Sequence, residues 1–144
     1  MTRSGWSHAR IADVPALGQA GDPGFWQDWA REPGYGRRWH SVGRVLGVEA
    51  FGLNANEADA GEELVVPHDE LEFGGQEELY LVVRGRARFI CAGEPVELAP
   101  GEVLVVDGDV RREATAVEDG TLVLMVGAVP GKPYELPEWN REDS

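Results

Sequence analysis

The sequence predicts an all-β, single-domain protein, built as a sandwich or barrel with a short helical arm at its N-terminus. Short runs rich in Val, Leu and Ile recur along the chain, and glycine- or proline-containing turns separate them. The nineteen glycines and nine prolines are spread over the 144 residues, which is typical of short strands joined by tight turns. A chain of this length can bury one core.

The first 44 residues are predicted to form the arm, because they show little strand periodicity and are rich in Gly, Pro and Trp. Asp13 is placed to cap a short helix with Pro15 in its first turn, and Asp22 begins a second such segment. Three aromatic residues in that second segment are expected to dock the arm on the body of the protein: Phe25, Trp26 and Trp29.

Residues 45–128 are predicted to form the barrel, and residues 129–144 an extended tail that lies over it. The first strand pattern, over residues 49–56, places Asn54 and Asn56 on one face and apolar residues on the other. We therefore take these two asparagines as candidate ligand-binding residues. Further β-rich runs cover residues 64–66, 78–83, 87–91, 96–98, 103–106 and 121–126.

Composition argues against several classes of partner. The formal net charge of −13 opposes binding to nucleic acid and to anionic membranes. No apolar run approaches the ~20 residues of a membrane span, and no apolar stretch follows Arg3, so we expect neither a membrane span nor a secretory signal. The one cysteine, Cys91, is expected to be a packing residue in a cytoplasmic protein.

Two spaced motifs carry the most specific information in the chain. In the first, Gly61 is followed by six residues, then His68 and Glu70, and later by Glu78, six residues and Gly85. In the second, Gly101 is followed by five residues, then by residues 107–109 (Asp-Gly-Asp), two residues and Arg112.

These motifs resemble those of the cupin superfamily of small β-barrels. The resemblance implies a jelly-roll barrel, a double-stranded β-helix, with its site at the wide mouth and often a homodimeric assembly. The family usually binds a metal ion through two histidines and a glutamate of the first motif and one histidine of the second. Here His68 and Glu78 match two of these ligands, Glu70 replaces a histidine, and Arg112 replaces the second motif's histidine.

Four residues are therefore predicted to be catalytic: His68, Glu78, Tyr80 and Arg112. Strand alternation places Tyr80 on the face of Glu78. Arginine cannot ligate a metal, so we expect Arg112 to pair with a pocket acid such as Glu78 or to bind a ligand carboxylate or phosphate. Glu70 and Glu72 share a face with His68 if that segment is extended, and either could contact the ligand.

The first functional hypothesis is a metal-independent small-molecule pocket that binds an anionic or carbonyl compound, or acts on it as an isomerase, lyase or cyclase. There, His68 or Glu78 would move a proton, while Tyr80 and Arg112 stabilise negative charge. The alternative is a metal-dependent oxygenase or isomerase that holds a divalent metal through His68, Glu78 and Glu70 or Glu72. A second alternative is a non-catalytic ligand sensor.

Overall fold

The computed structural model describes residues 5–14 and 38–136. The helical segment predicted to begin at Asp22, with its three aromatic residues, lies outside the described residues. Within them the chain is mostly β-strand, with one α-helix and two 3-10 turns. The elements are β1 (Arg38–His40), α1 (Val42–Leu46), β2 (Gly52–Ala58), β3 (Glu63–His68), β4 (Glu77–Arg84), β5 (Ala87–Cys91), β6 (Glu94–Leu98), β7 (Val103–Val106), β8 (Arg112–Ala116) and β9 (Thr121–Ala128).

The strands form two antiparallel sheets. One has five strands in the order β1-β2-β9-β4-β7, and the other has four in the order β3-β8-β5-β6. Except for the pairs β1–β2 and β5–β6, consecutive strands switch between the sheets, so that the two sheets enclose a common core, as in a jelly roll. The predicted all-β jelly-roll class is confirmed.

The main core lies between the sheets and is built by alternate residues of each strand. On β4, Tyr80 and Val82 are fully buried and face Phe89 of β5 across the core. The rings of Tyr80 and Phe89 pack at 5.0 Å between centroids and tilt by 55°. Because side chains alternate along a strand, the neighbouring residues of β4 lie on the outer face, where Val83 is exposed. β4 is therefore fully buried at Tyr80 and Val82 and only partly buried on its outer face.

A smaller apolar cluster covers part of the outer face of the five-stranded sheet. Val42 of α1 packs there against Ala55 and Leu122, and Ile11 lies beside it. The predicted domain boundary at residue 44 falls inside α1. None of the helices in the described ranges is long and apolar enough to cross a bilayer.

The arm differs locally from the prediction. Asp13, expected to cap a helix, is instead the last residue of the 3-10 turn Ile11–Asp13, and Val14 after it is extended. Val14 precedes a proline, and the proline ring disfavours the helical conformation of the residue before it. The backbone carbonyl of Val14 instead accepts a hydrogen bond from His40 at 2.8 Å.

Gly85 shows why the first motif ends in glycine. Its φ of +78° lies in the left-handed region, and a Cβ atom there would stand 2.7 Å from the Cα of Thr121. The residue after β4 therefore has to be glycine for the chain to turn closely over β9 and enter β5.

Candidate functional site

Four charged side chains meet at one end of the barrel, which we call the mouth cluster: His68, Glu70, Glu78 and Arg112. Strand alternation brings two of them inward. Glu78 precedes the core residues Tyr80 and Val82 of β4 by two and four positions, and Arg112 stands in the same relation to buried residues of β8. Their side chains therefore point into the barrel from opposite sheets.

Arg112 is fully buried and each of its three nitrogens donates a hydrogen bond inside the protein. Nη1 donates to Glu78 Oε1 at 2.8 Å, Nε to the Val110 carbonyl at 3.0 Å, and Nη2 to the Asp107 carbonyl at 2.7 Å. Nη1 also lies 3.6 Å from Glu70 Oε1. Of the two roles predicted for this arginine, the structure therefore contains the pairing with a pocket acid.

A turn of the chain brings Glu70 back to His68. After Glu70 the chain forms the 3-10 turn Leu71–Phe73, and hydrogen bonds hold the Glu70 backbone on both sides. The Glu70 amide donates to the Gly108 carbonyl at 2.8 Å, and the Glu70 carbonyl accepts from the Gly75 amide at 2.8 Å. Glu70 is thus buried beside His68, whereas Glu72 is exposed on the turn and lies outside the cluster. Of the two candidate glutamates, Glu70 therefore faces into the barrel and Glu72 does not.

His68 joins the two carboxylates. Its Nδ1 donates to the Val66 carbonyl at 2.7 Å and its Nε2 to Glu70 Oε1 at 3.0 Å, with Glu78 Oε1 at 3.7 Å. Burial lowers the pKa of the imidazole, but the hydrogen bond to Glu70, the nearby Glu78 carboxylate and the Val66 carbonyl outweigh burial and raise that pKa to about 9. His68 is therefore a cation at neutral pH.

The pKa values of the two glutamates, Glu70 and Glu78, are shifted in opposite directions. Burial, with the hydrogen bond and charge of Glu78, raises the pKa of Glu70 to about 7, against the opposing effect of His68. Burial would also raise the pKa of Glu78, but the neighbouring His68 and Glu70, the hydrogen bond from Tyr80 and the charge of Arg112 lower it to about 2. Glu78 is thus the ionised member of the pair, and Glu70 can gain or lose a proton near neutral pH.

Tyr80, two residues after Glu78 on the same face of β4, contacts the Glu78 carboxylate. Its hydroxyl donates to Glu78 Oε1 at 2.7 Å, and burial together with the Glu78 charge raises the pKa of the phenol well above its usual value. Tyr80 is itself fully buried. It therefore acts on the mouth cluster as a fixed, neutral donor.

The asparagines lie deeper in the barrel. Asn56 is almost fully buried and its Nδ2 donates to the Leu64 carbonyl at 2.7 Å. The Oδ1 atoms of Asn54 and Asn56 are buried, and neither has a hydrogen-bond partner among the described residues. Both side chains share the inward face of β2, but the ligand-binding role given to them stays a prediction.

Sequence reasoning missed the position of Cys91. In the four-stranded sheet Cys91 is paired with Arg112, which is paired with His68, so the three side chains form one row at the barrel end. Cys91 is half-buried and packs against the main core. The pairing was not visible in the sequence because β8 was not recognised as a strand. Burial raises the pKa of the Cys91 thiol, and the nearby Arg112 charge partly opposes that rise.

Comparison with solved structures identifies the fold. KdgF from a Halomonas species superposes with a TM-score of 0.57 at 24% identity, over 72% of this chain and 86% of that one. A cupin protein from Bacteroides fragilis superposes with a TM-score of 0.57 at 20% identity, over 74% and 87% of the two chains. The chain has the cupin fold.

A third cupin neighbour, named as a sugar phosphate isomerase of Silicibacter pomeroyi, has a TM-score of 0.56 at 23% identity, over 65% of this chain and 59% of that one. No family model and no curated protein sequence matches the chain. At these identities the likeness shows the fold alone, so the chemistry has to be argued from the mouth cluster.

The cupin fold raises the question of a metal. Ligand atoms of His68, Glu70 and Glu78 all lie within 4.8 Å of one another, which is close enough to surround an ion. The guanidinium of Arg112 is already bonded to the same Glu78 oxygen and lies beside Glu70. A metal would also require His68 to lose the proton that it donates to Glu70. As they stand, these residues do not fit a metal ion.

Proposed function

We propose that this chain is a small-molecule-binding cupin that works without a metal, by moving a proton on a small carbonyl-containing or anionic compound. The observation that carries the proposal is the buried Arg112–Glu78 pair, which supplies a fixed positive charge beside the two carboxylates and His68. Glu78 and His68 remain accessible, with 16% and 26% of their side chains exposed. A compound in the barrel mouth could therefore reach both.

Of the two substrate classes, the geometry favours the carbonyl compound. Every nitrogen of Arg112 already donates inside the protein, and both ring nitrogens of His68 do so too. An anion would therefore find no unpaired cation in the cluster. A carbonyl oxygen requires only that one donor, such as His68 Nε2, turns from Glu70 toward the substrate.

Proton transfer next to a carbonyl then has an acceptor and a donor in place. Glu78 or Glu70 accepts a proton from the carbon beside the carbonyl, and His68 donates toward the oxygen that becomes negative. Tyr80 and Arg112 both donate to Glu78 Oε1, so they act as positioning residues that keep Glu78 ionised. Removal of a proton from the carbon beside a carbonyl is the first step of many isomerase, lyase and cyclase reactions. One solved cupin neighbour bears the name sugar phosphate isomerase.

A substitution series tests the pocket. A panel of aldehydes, ketones, 2-oxoacids and sugar phosphates is first screened for compounds that raise the melting temperature of the protein. The affinity and turnover of these compounds are then measured with the wild type and with His68→Ala and Glu78→Gln. We expect both variants to lose about tenfold or more in affinity or turnover. Glu77→Gln is the matched control, because Glu77 is the exposed neighbour on the opposite face of β4. The proposed pocket is wrong if both cluster variants behave like this control.

The metal-dependent oxygenase or isomerase is the rival function, and metal analysis separates the two. The wild-type protein is purified without a metal-affinity column, incubated with zinc and analysed by plasma mass spectrometry. We expect it to contain little bound zinc. Arg112→His is expected to bind zinc near one equivalent, because it exchanges the competing cation for a ligand. Arg88→His, at an exposed position of β5 on the outer face, is the control. Stoichiometric metal in the wild type that falls in His68→Ala would establish the rival.

The ligand sensor remains a second alternative, and it predicts affinity without turnover in the same series. The expected homodimer and the cytoplasmic location stay predictions. So do the exclusions of nucleic acid and membrane as partners.

A further inference from the structure

The chain after β9 returns to the mouth of the barrel. Beyond Ala128 it makes a turn in which the Lys132 amide donates to the Val129 carbonyl at 3.3 Å. Val129 lies beside the loop before β4, since a Cβ atom on Gly74 would stand 3.4 Å from a Val129 methyl carbon. Residues 129–136 thus pass across the ends of the central strands of the five-stranded sheet; we call them the C-terminal segment.

Tyr134 of this segment reaches the inner side of the sheet. A Cβ atom on Gly52 would stand 3.1 Å from the Tyr134 hydroxyl oxygen. Gly52 shares its face of β2 with Asn54 and Asn56, and Asn56 bonds to the opposite sheet through the Leu64 carbonyl. The Tyr134 hydroxyl therefore lies on the barrel side of β2, above Asn54.

Two glycines make room for this arrangement. Gly52 is paired with Gly127, and Gly127 is paired with Glu78, so these three positions form one row across the sheet. A Cβ atom on Gly127 would stand 2.9 Å from Gln76 Oε1 and 3.2 Å from Glu78 Cγ. The side chains of Gln76 and Glu78 occupy the space above Gly127, and the Tyr134 hydroxyl occupies the space above Gly52. Glu78 therefore stands at one end of the row and Tyr134 about two strand spacings, or ~10 Å, away at the other.

We propose that the Tyr134 side chain forms the β2 wall of the ligand pocket and limits the size of compound that reaches the mouth cluster. Tyr134 is half-buried, and burial raises the pKa of its phenol, so the wall stays uncharged. A compound held over Glu78 and extending along this row toward β2 would pass Gln76 and then meet the Tyr134 ring. The proposal rests on the proposed function for the presence of a ligand, but the restriction of access stands on the geometry alone.

The test places a thiol inside the barrel, on the face of β2 that the Tyr134 hydroxyl contacts at Gly52. Asn54→Cys in a Cys91→Ala background leaves one cysteine in the chain, on the inner face of β2 and two residues inward from Gly52. Its alkylation rate is measured with N-methylmaleimide and with N-phenylmaleimide, which share a reactive group and differ in size. The same measurements are made after adding Tyr134→Ala, Tyr134→Phe or the control Lys132→Ala, which alters an exposed residue of the same segment.

We expect Tyr134→Ala to accelerate N-phenylmaleimide roughly tenfold and N-methylmaleimide much less, while Tyr134→Phe and Lys132→Ala keep the parent rates. Equal acceleration of both reagents, or none, would overturn the proposal, since the first indicates general loosening and the second an open path. If Asn54→Cys does not fold, native Cys91 in the otherwise unchanged chain is alkylated instead, with the same expected order. The thiol measurements need no ligand, so a failure of the proposed function in its own substitution series remains distinguishable.

Discussion

Two carboxylates of the five-stranded sheet are both paired with arginine and are similarly buried, yet their arginine partners lie in opposite environments. Glu57 is on the outer face of β2, where it contacts Arg38 at 3.3 Å and Arg84, whose side chain is 51% exposed. Glu78 is on the inner face of β4, and its partner Arg112 is fully buried. In both cases burial opposes ionisation and the pKa of the carboxyl group is nevertheless lowered, at Glu57 by its arginine partners and at Glu78 by His68, Glu70 and Tyr80 together with the charge of Arg112.

A glutamate–arginine pair by itself therefore does not define a functional site. Water can replace either arginine at Glu57, so that cluster is expected to add little beyond fastening strands together. At Glu78 no water can replace a guanidinium that is closed in by backbone carbonyls, so the charge is permanent and the neighbouring groups titrate around it. The predictions below test this contrast, from the largest expected effect to the smallest.

Removing the buried cation should have the largest effect. Arg112→Ala leaves Glu78 buried without its counter-charge and is expected to lower the free energy of unfolding by about 3–5 kcal/mol. Urea denaturation measures the loss. The double variant Arg112→Met with Glu78→Leu should recover most of it, because neither charge then remains. A loss below that of an exposed arginine, such as Arg88→Ala, would contradict the contrast.

The titration of His68 should appear as a slope in stability against pH. A folded-state pKa raised from 6.5 to about 9 stabilises the protein fully below pH 6.5 and loses that contribution as the pH rises to 9. The melting temperature is expected to fall by about 5 °C over this window. Calorimetry of His68→Gln should show a flatter profile, whereas Glu57→Gln should keep the wild-type slope.

Tyr80→Phe should have a smaller effect, because it removes one hydrogen bond and leaves the ring packed on Phe89. The expected cost is about 1–2 kcal/mol in the free energy of unfolding. The pKa of Glu78 should rise, since the Tyr80 hydroxyl no longer stabilises its charge. Urea denaturation and carboxyl-resolved NMR titration measure the two effects, and an unchanged Glu78 pKa would remove Tyr80 from the cluster.

Arg84→Ala, on the outer face, should have the smallest effect. The expected loss is at most about 1 kcal/mol, and it should shrink further in high salt because exposed charges are screened. Urea denaturation at low and high salt checks both statements. A loss comparable to that of Arg112→Ala would show that exposure does not separate the two pairs.

Much of the fold could be read from particular segments. The runs 87–91 and 103–106 were predicted with the bounds of β5 and β7, because β-branched and apolar residues dominate them and turn residues flank them. β8 was missed, since its sequence, Arg-Glu-Ala-Thr-Ala, has little strand propensity. Its alanines, Ala114 and Ala116, are buried in the main core between the sheets, which is a tertiary property that no local pattern expresses.

The sequence by itself determined the alternation that turns Glu78 and Tyr80 to one side, the cupin motif spacing, and the exchange of a histidine for Arg112. Only the tertiary structure decided between Glu70 and Glu72, because the 3-10 turn that separates them depends on backbone contacts with Gly108. It alone also placed Cys91 beside Arg112 and Tyr134 over Gly52. Contacts between residues far apart in the chain set these positions, since they depend on strand pairing and close packing rather than on local periodicity.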